Sequence, residues 1–111
     1  MSGYEINDLD GVGHCLLMIS LDMSNNAIDD IADLSSLSHL REIYLSGNQI
    51  GYIDSLGYCA ELRIVDISNN TIDDISPLFD LEHLEYVNLI GNPVPVQQID
   101  QLRSMNVMVI F

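Results

Sequence analysis

The stretch LRIVDISNNTI, Leu62 to Ile72, has a skeleton of one apolar residue, two free positions, an apolar, a free, an apolar, two free positions and then asparagine. The skeleton returns in both directions at a fixed interval, with Asn26, Asn48, Asn70 and Asn92 each 22 residues from the next. Ahead of these asparagines stand Met18, Leu21 and Met23; Leu40, Ile43 and Leu45; Leu62, Val65 and Ile67; and Leu84, Val87 and Leu89. The alternation around the second and third member of each set is that of a short strand with one face inward. One strand per repeat, with the chain always returning the same way, predicts a parallel ladder.

Between the strands the apolar period changes from two to three. Ile72, Ile75, Leu78, Leu81 and Leu84 are each separated by two free residues. An α-helix advances about 100° per residue, so over four such intervals its apolar stripe would slip by about 240°. A segment with three residues per turn, 3₁₀ or extended, keeps all five on one side. Ser76 before Pro77 has the form of a cap and first-turn proline, and Asp54 stands at the matching place one repeat earlier. Ala32, at the place before that, cannot act as a cap.

Both ends depart from the register. Residues 1–17 read as an N-terminal half-repeat, in which Ile6, Leu9, Val12 and Cys15, followed by Met18, match Ile28, Ile31, Leu34, Leu37 and Leu40. Residues 18–92 form the repeat core and residues 93–111 a degenerate C-terminal capping unit, within one domain spanning 1–111. In that last unit Val96, Ile99, Leu102, Met105, Met108 and Ile110 fall 21 residues after Ile75, Leu78, Leu81, Leu84, Val87 and Leu89. The offset predicts one residue lost near Pro93 to Pro95, a short helix over Gln97 to Ser104, and a fifth strand over Val107 to Phe111.

The units resemble leucine-rich repeats of pattern LxxLxLxxN, and the 22-residue length with IxDIxxL is similar to the bacterial internalin-like class. Asn26, Ile28, Asp30 and Ile31 carry this resemblance, as do Asn70, Ile72, Asp74, Ile75, Ser76, Pro77 and Leu78. Tyr52 departs from it, standing where the pattern has an acidic residue. The resemblance implies an α/β repeat solenoid: a short right-handed horseshoe with a concave parallel β-sheet and a 3₁₀ or extended convex side. It also implies that a protein partner is bound on the concave face. Physical reasoning agrees on stacking, because one unit cannot cover its own apolar face. The asparagine amides are expected to satisfy turn backbones that would otherwise be buried unpaired.

The chain has 111 residues with 17 acids against 3 Lys or Arg, a formal charge of −14. That charge excludes a phosphate backbone or an anionic membrane as partner. The acids serve solubility on the simplest reading, and a basic protein surface is the functional alternative. No apolar run is longer than Cys15 to Ile19, which is too short to cross a bilayer. The acidic opening MSGYEINDLDG lacks a secretory n-region. The expected location is therefore the cytoplasm for a complete chain, and the surface or the medium for a fragment of a longer one.

Catalytic and metal chemistry find no support. Cys15 and Cys59 are two repeats apart, roughly 10 Å at a strand spacing of about 4.8 Å, beyond the ~7 Å reach of a disulfide. Both read as buried thiols in leucine slots. His39 and His83 share a column with Glu61 between them, too far apart for direct co-ligation of zinc. No phosphate loop, Cys-x-x-Cys or His-Glu-x-x-His pattern occurs. The expectation is a non-enzyme with no cofactor and no metal. Asp29, Asp30, Asp73 and Asp74, with Asn7 and Asp8 at the equivalent place before them, form an acidic stripe interrupted at Gly51 and Tyr52. A charged rim that keeps solenoids apart is its plain reading; attraction of a basic partner or of cations is the other.

The free positions of the strands carry the expected contact surface: Asp22, Arg41, Tyr44, Arg63, Ile64, Asp66, Tyr86 and Asn88. Tyr and Arg are residue types favoured in interface hot spots. Toward the C-terminus Ile90 and, in the shifted register, Val107, Val109 and Phe111 form a candidate self-association set on an open edge. The leading expectation is a non-catalytic protein–protein interaction module. The alternatives are a structural element that pairs into a homodimer through its terminal strand, and an acidic decoy of a nucleic-acid-binding protein.

Overall fold

A computed structural model describes residues 19–111; the half-repeat of 1–17, Cys15, Met18, Asn7 and Asp8 lie outside the described residues. Each repeat contributes one three-residue strand: β1 (Ser20–Asp22), β2 (Glu42–Tyr44), β3 (Ile64–Asp66), β4 (Tyr86–Asn88) and β5 (Met108–Ile110). They form one parallel sheet in the order β1-β2-β3-β4-β5. The described body measures 35 × 25 × 17 Å.

The inward residues of β1 to β4, Leu21, Ile43, Val65 and Val87, are buried, as are Met23, Leu45, Ile67 and Leu89 two positions on. Opposite the sheet the three-residue period has a direct cause in the backbone. The N–H of Leu34 donates to the Ile31 carbonyl, that of Leu37 to Leu34 and that of Leu40 to Leu37. The same relay runs Ile53, Leu56, Cys59, Leu62 and Ile75, Leu78, Leu81, Leu84. Successive i→i+3 bonds return every third side chain to the core. The relay appears as 3₁₀ segments at Ala32–Ser36, Asp54–Tyr58 and Ser76–Leu78.

These segments begin at the three positions compared in the sequence, but none is capped by a side chain at the residue before it. At two of the three the acid two residues ahead of the start does that work instead: Asp30 Oδ1 accepts from the Ala32 N–H at 2.9 Å and Asp74 Oδ1 from the Ser76 N–H at 2.9 Å. Ala32 thus begins a helical turn without needing a capping side chain of its own.

Cys59 occupies a leucine slot. It is a free, buried thiol whose Sγ donates to the Leu34 carbonyl at 3.4 Å, and burial pushes its pKa up to about 11.

The last unit requires a correction of register. Helix α1 runs over Val96–Arg103 and buries Ile99 and Leu102, as the 21-residue offset requires. Val96, however, is exposed. Asn106 then adopts a left-handed conformation (φ 63°) and adds back the missing residue. As a result β5 pairs 22 residues behind: Tyr86 with Met108, Val87 with Val109, Asn88 with Ile110. Val109 packs against the core and Val107 is buried, so neither points outward as the shifted register predicted. Met108 and Ile110 take the outward positions, and Met108 and Phe111 are exposed.

Candidate functional site

The pairing register arranges the outward residues in columns. Ser20, Glu42, Ile64, Tyr86 and Met108 form one; Asp22, Tyr44, Asp66, Asn88 and Ile110 form the next. Arg41, Arg63 and Glu85 stand just before β2, β3 and β4. Six of the eight residues of the expected contact surface, Asp22, Tyr44, Ile64, Asp66, Tyr86 and Asn88, fall in these columns, and Arg41 and Arg63 stand beside them; Arg41, Arg63 and Asp22 are exposed and the other five half-buried.

At the centre of the face the Tyr44 hydroxyl donates to Glu42 Oε1 at 2.6 Å. That bond, then burial, then the charges of Glu42, Asp22 and Asp66 push the Tyr44 pKa up to about 12. The phenol is thus held as a neutral donor, its ring flanked in the sheet by two carboxylates. The sequence placed Tyr44 outward but did not reveal this bond. The signal was present as a Glu two residues before a Tyr on one strand face, where side chains i and i+2 are neighbours.

Three of the expected contact residues also have a local task. Asp22 Oδ1 accepts from the backbone N–H and the hydroxyl of Ser24 at 3.1 and 2.8 Å. Asp66 Oδ1 does the same with Ser68 at 3.1 and 2.7 Å, and Asn88 Oδ1 accepts from the Ile90 N–H at 3.1 Å. Each fixes the chain where it leaves a strand. The Asp-x-Ser pairs at 22 and 66 carry that signal in the sequence.

The charged positions are loosely tied. Arg63 Nε lies 3.8 Å from Glu85 Oε2, with both side chains more than half exposed, a pair that contributes little to stability. His39 Nδ1 lies 3.3 Å from Glu61 Oε2, also at the surface. Arg41 lines a shallow cleft with Ile19, His39 and Glu61. Among the described residues no group of three His, Cys, Asp or Glu side chains could hold a metal ion.

Of the residues expected at the C-terminal edge, Ile90 and Phe111 are exposed. The Arg103 guanidinium lies over the Phe111 ring at 5.6 Å from its centroid and covers part of it. The acidic stripe is half structural, since Asp30 and Asp74 hold the 3₁₀ starts. The Ser76 N–H bond holds the Asp74 carboxyl below its ordinary value, and Gln98 Nε2 adds a bond at 3.1 Å. Within the described residues no helix is long and apolar enough to cross a membrane.

Comparison with known proteins places this architecture. A family model for leucine-rich repeats, in two copies, matches residues 18–58. Among solved structures the chain is similar to an internalin, InlF, of Listeria monocytogenes, with 28% identity and a TM-score of 0.90 over 96% of this chain. It is similar also to the functional domain of InlJ from Listeria monocytogenes, with 26% identity and a TM-score of 0.78 over 92% of this chain. A leucine-rich-repeat protein of Leptospira interrogans shares the fold at 18% identity and a TM-score of 0.67 over 96% of this chain and 35% of its own. The chain spans 32% of the InlF chain and 21% of the InlJ chain. No curated protein matches the sequence.

Proposed function

From the premise that the chain is a leucine-rich-repeat protein with an internalin-like fold, we propose that it is a non-catalytic binding module. It takes a protein partner on the concave face, through Asp22, Arg41, Tyr44, Arg63, Ile64, Asp66, Tyr86 and Asn88. Leucine-rich-repeat domains generally mediate protein–protein interaction, and the internalins supply no enzymatic precedent. The observation that carries the reading is Tyr44, a large aromatic on a rigid sheet, oriented by Glu42 and flanked by carboxylates. A preformed face of this kind spends little entropy on ordering when a partner arrives. The expected partner has a basic, partly apolar surface: the charge of −14 steers it, and the Tyr rings and Ile64 supply burial. Affinity capture from native cells with the wild-type chain and a Tyr44→Ala/Tyr86→Ala variant tests the assignment. The variant should keep its circular-dichroism spectrum and lose the captured protein, and equal capture by both would sink the concave-face reading.

The β5 edge favours a second reading, self-association. Met108 and Phe111 are exposed, and β5 ends the sheet with a row of outward backbone groups. Two copies meeting there would cover Met108, Ile110 and Phe111. Sedimentation velocity across a hundredfold dilution distinguishes the readings: a dimer lost on Met108→Lys supports pairing, and a monomer at every concentration excludes it.

A further inference from the structure

On the 3₁₀ side of the solenoid, between Ala32–Ser36 and Asp54–Tyr58, lies an open cleft of about 500 Å³. Asp29, Asp30, Tyr52, Asp54, Ser55 and Tyr58 line it. None of these belongs to the concave face, and three features of the cleft are unexplained by the packing of the repeats.

The first is aromatic. Tyr52 and Tyr58 are 80% and 69% exposed, the largest exposures among the bulky apolar and aromatic side chains of the described residues. At the place of Tyr52 the flanking repeats carry Asp30 and Asp74, each holding the start of its 3₁₀ segment through a backbone N–H. Tyrosine offers no such acceptor, so this repeat gives up a local bond and presents a ring to the cleft.

The second feature is charge. Asp29 and Asp54 form no ion pair among the described residues, and Asp30 uses one oxygen on the Ala32 N–H. The third is a hydroxyl. Ser55 is 7% exposed and its Oγ has no hydrogen-bond partner. Ser35, which also lines the cleft, turns its hydroxyl back onto the Ala32 carbonyl at 3.0 Å. A buried hydroxyl without a partner is destabilising, and a turn about the Ser55 Cα–Cβ bond would offer it to a ligand's N–H donor in the cleft that the residue lines.

Rings, carboxylates and an unmet oxygen acceptor call for a cation that is flat, apolar on its faces and rich in donors at its edge. We propose that the cleft receives the guanidinium of an arginine side chain from a protein partner, stacked on the tyrosines with its N–H groups toward Asp29, Asp54 and Ser55. The alternatives fit less well. A quaternary ammonium satisfies the rings and the charge but has no donor for Ser55. A lysine ammonium is compact and strongly hydrated, and it cannot stack. Arginine combines cation–π contact with several separately aimed N–H donors.

The test is a titration of the isotope-labelled 12.4 kDa chain, followed by amide NMR, with the peptide acetyl-Gly-Arg-Gly-amide. Matched peptides carry lysine or citrulline at the centre. The expected result is saturable shifts centred on Tyr52, Ser55 and Tyr58. Binding of the lysine peptide should be weaker by about fivefold or more, with no saturation by the citrulline peptide. Tyr52→Ala/Tyr58→Ala removes only exposed rings and should leave the rest of the spectrum in place while weakening the arginine peptide about tenfold. Ser55→Ala should weaken it about threefold. Shifts confined to the concave face, equal affinity for arginine and lysine, or undiminished binding by the tyrosine variant would each overturn the assignment.

Discussion

Asn48 holds three backbone groups in two repeats at once. Its Oδ1 accepts from the Ile28 N–H at 3.1 Å, and its Nδ2 donates to the Met23 and Leu45 carbonyls at 3.1 and 2.9 Å. Asn70 repeats the pattern with Ile50, Leu45 and Ile67, and Asn92 with Ile72, Ile67 and Leu89. Asn48→Ala leaves buried groups unmet and should destabilise by about 3 kcal/mol, read as a lower urea midpoint with an unchanged slope. A loss of less than about 0.5 kcal/mol, within ordinary surface-substitution scatter, would show that water replaces the amide. The ladder was legible because its chemistry is the same in every repeat. The column before it alternates Asn and Gly for a backbone reason: Asn25, Gly47, Asn69 and Gly91 are all left-handed, with φ of 59°, 75°, 57° and 81°. A Cβ on Gly47 would lie 2.6 Å from Asn25 Oδ1, and one on Gly91 2.4 Å from Asn69 Oδ1. Each asparagine side chain therefore fills the place that its glycine neighbour leaves open.

Elements were legible wherever one period governed them. Alternation placed β1 to β4, and the three-residue spacing placed the 3₁₀ relay. The same alternation put Asp22, Tyr44, Ile64, Asp66, Tyr86 and Asn88 in the outward columns, while the bonds that fix Tyr44, Asp22 and Asp66 join residues two apart, a spacing common in any strand. The last unit shows how two irregularities cancel. The residue lost near Pro93 is real as far as Leu102, and Gln98 ties the displaced helix back, with Oε1 accepting from the Ile75 N–H at 2.8 Å. Nothing in the spacing of apolar residues distinguishes a register kept at 21 from one restored to 22 by Asn106, because Val107 to Phe111 is apolar at every position. Only backbone geometry decides it: Asn tolerates φ above zero, so β5 regains its pairing with β4. Asn106→Val should therefore destabilise by about 1–2 kcal/mol, with amide-exchange protection lost first at the Met108 and Leu89 N–H groups that bond across this edge. Asn106→Gly should be neutral or better. A valine variant as stable as the glycine variant would mean that the turn can be made without a left-handed residue.

At the scale of the whole molecule the acids are the unbalanced term. Seventeen Asp and Glu face three Lys and Arg, and the two ion pairs among the described residues both lie at the surface. A parallel solenoid aligns its columns from strand to strand, so like charges recur within one column on both faces, as Asp22 and Asp66 do either side of Tyr44 and Asp30 and Asp74 do either side of Tyr52, two repeats or roughly 10 Å apart. Carboxylates spaced this way lie near the ~8 Å screening length at physiological ionic strength, and their repulsion opposes the compact state. Added sodium chloride should therefore stabilise the fold. From about 20 mM to about 500 mM at pH 7, the melting temperature is expected to rise by roughly 5 °C. Chloride matters as the choice of anion, because sulfate also stabilises by exclusion from the surface and would confuse the cause. A melting temperature that ignores salt would show that the local bonds to Ser24, Ser68, Ala32 and Ser76 already absorb the repulsion.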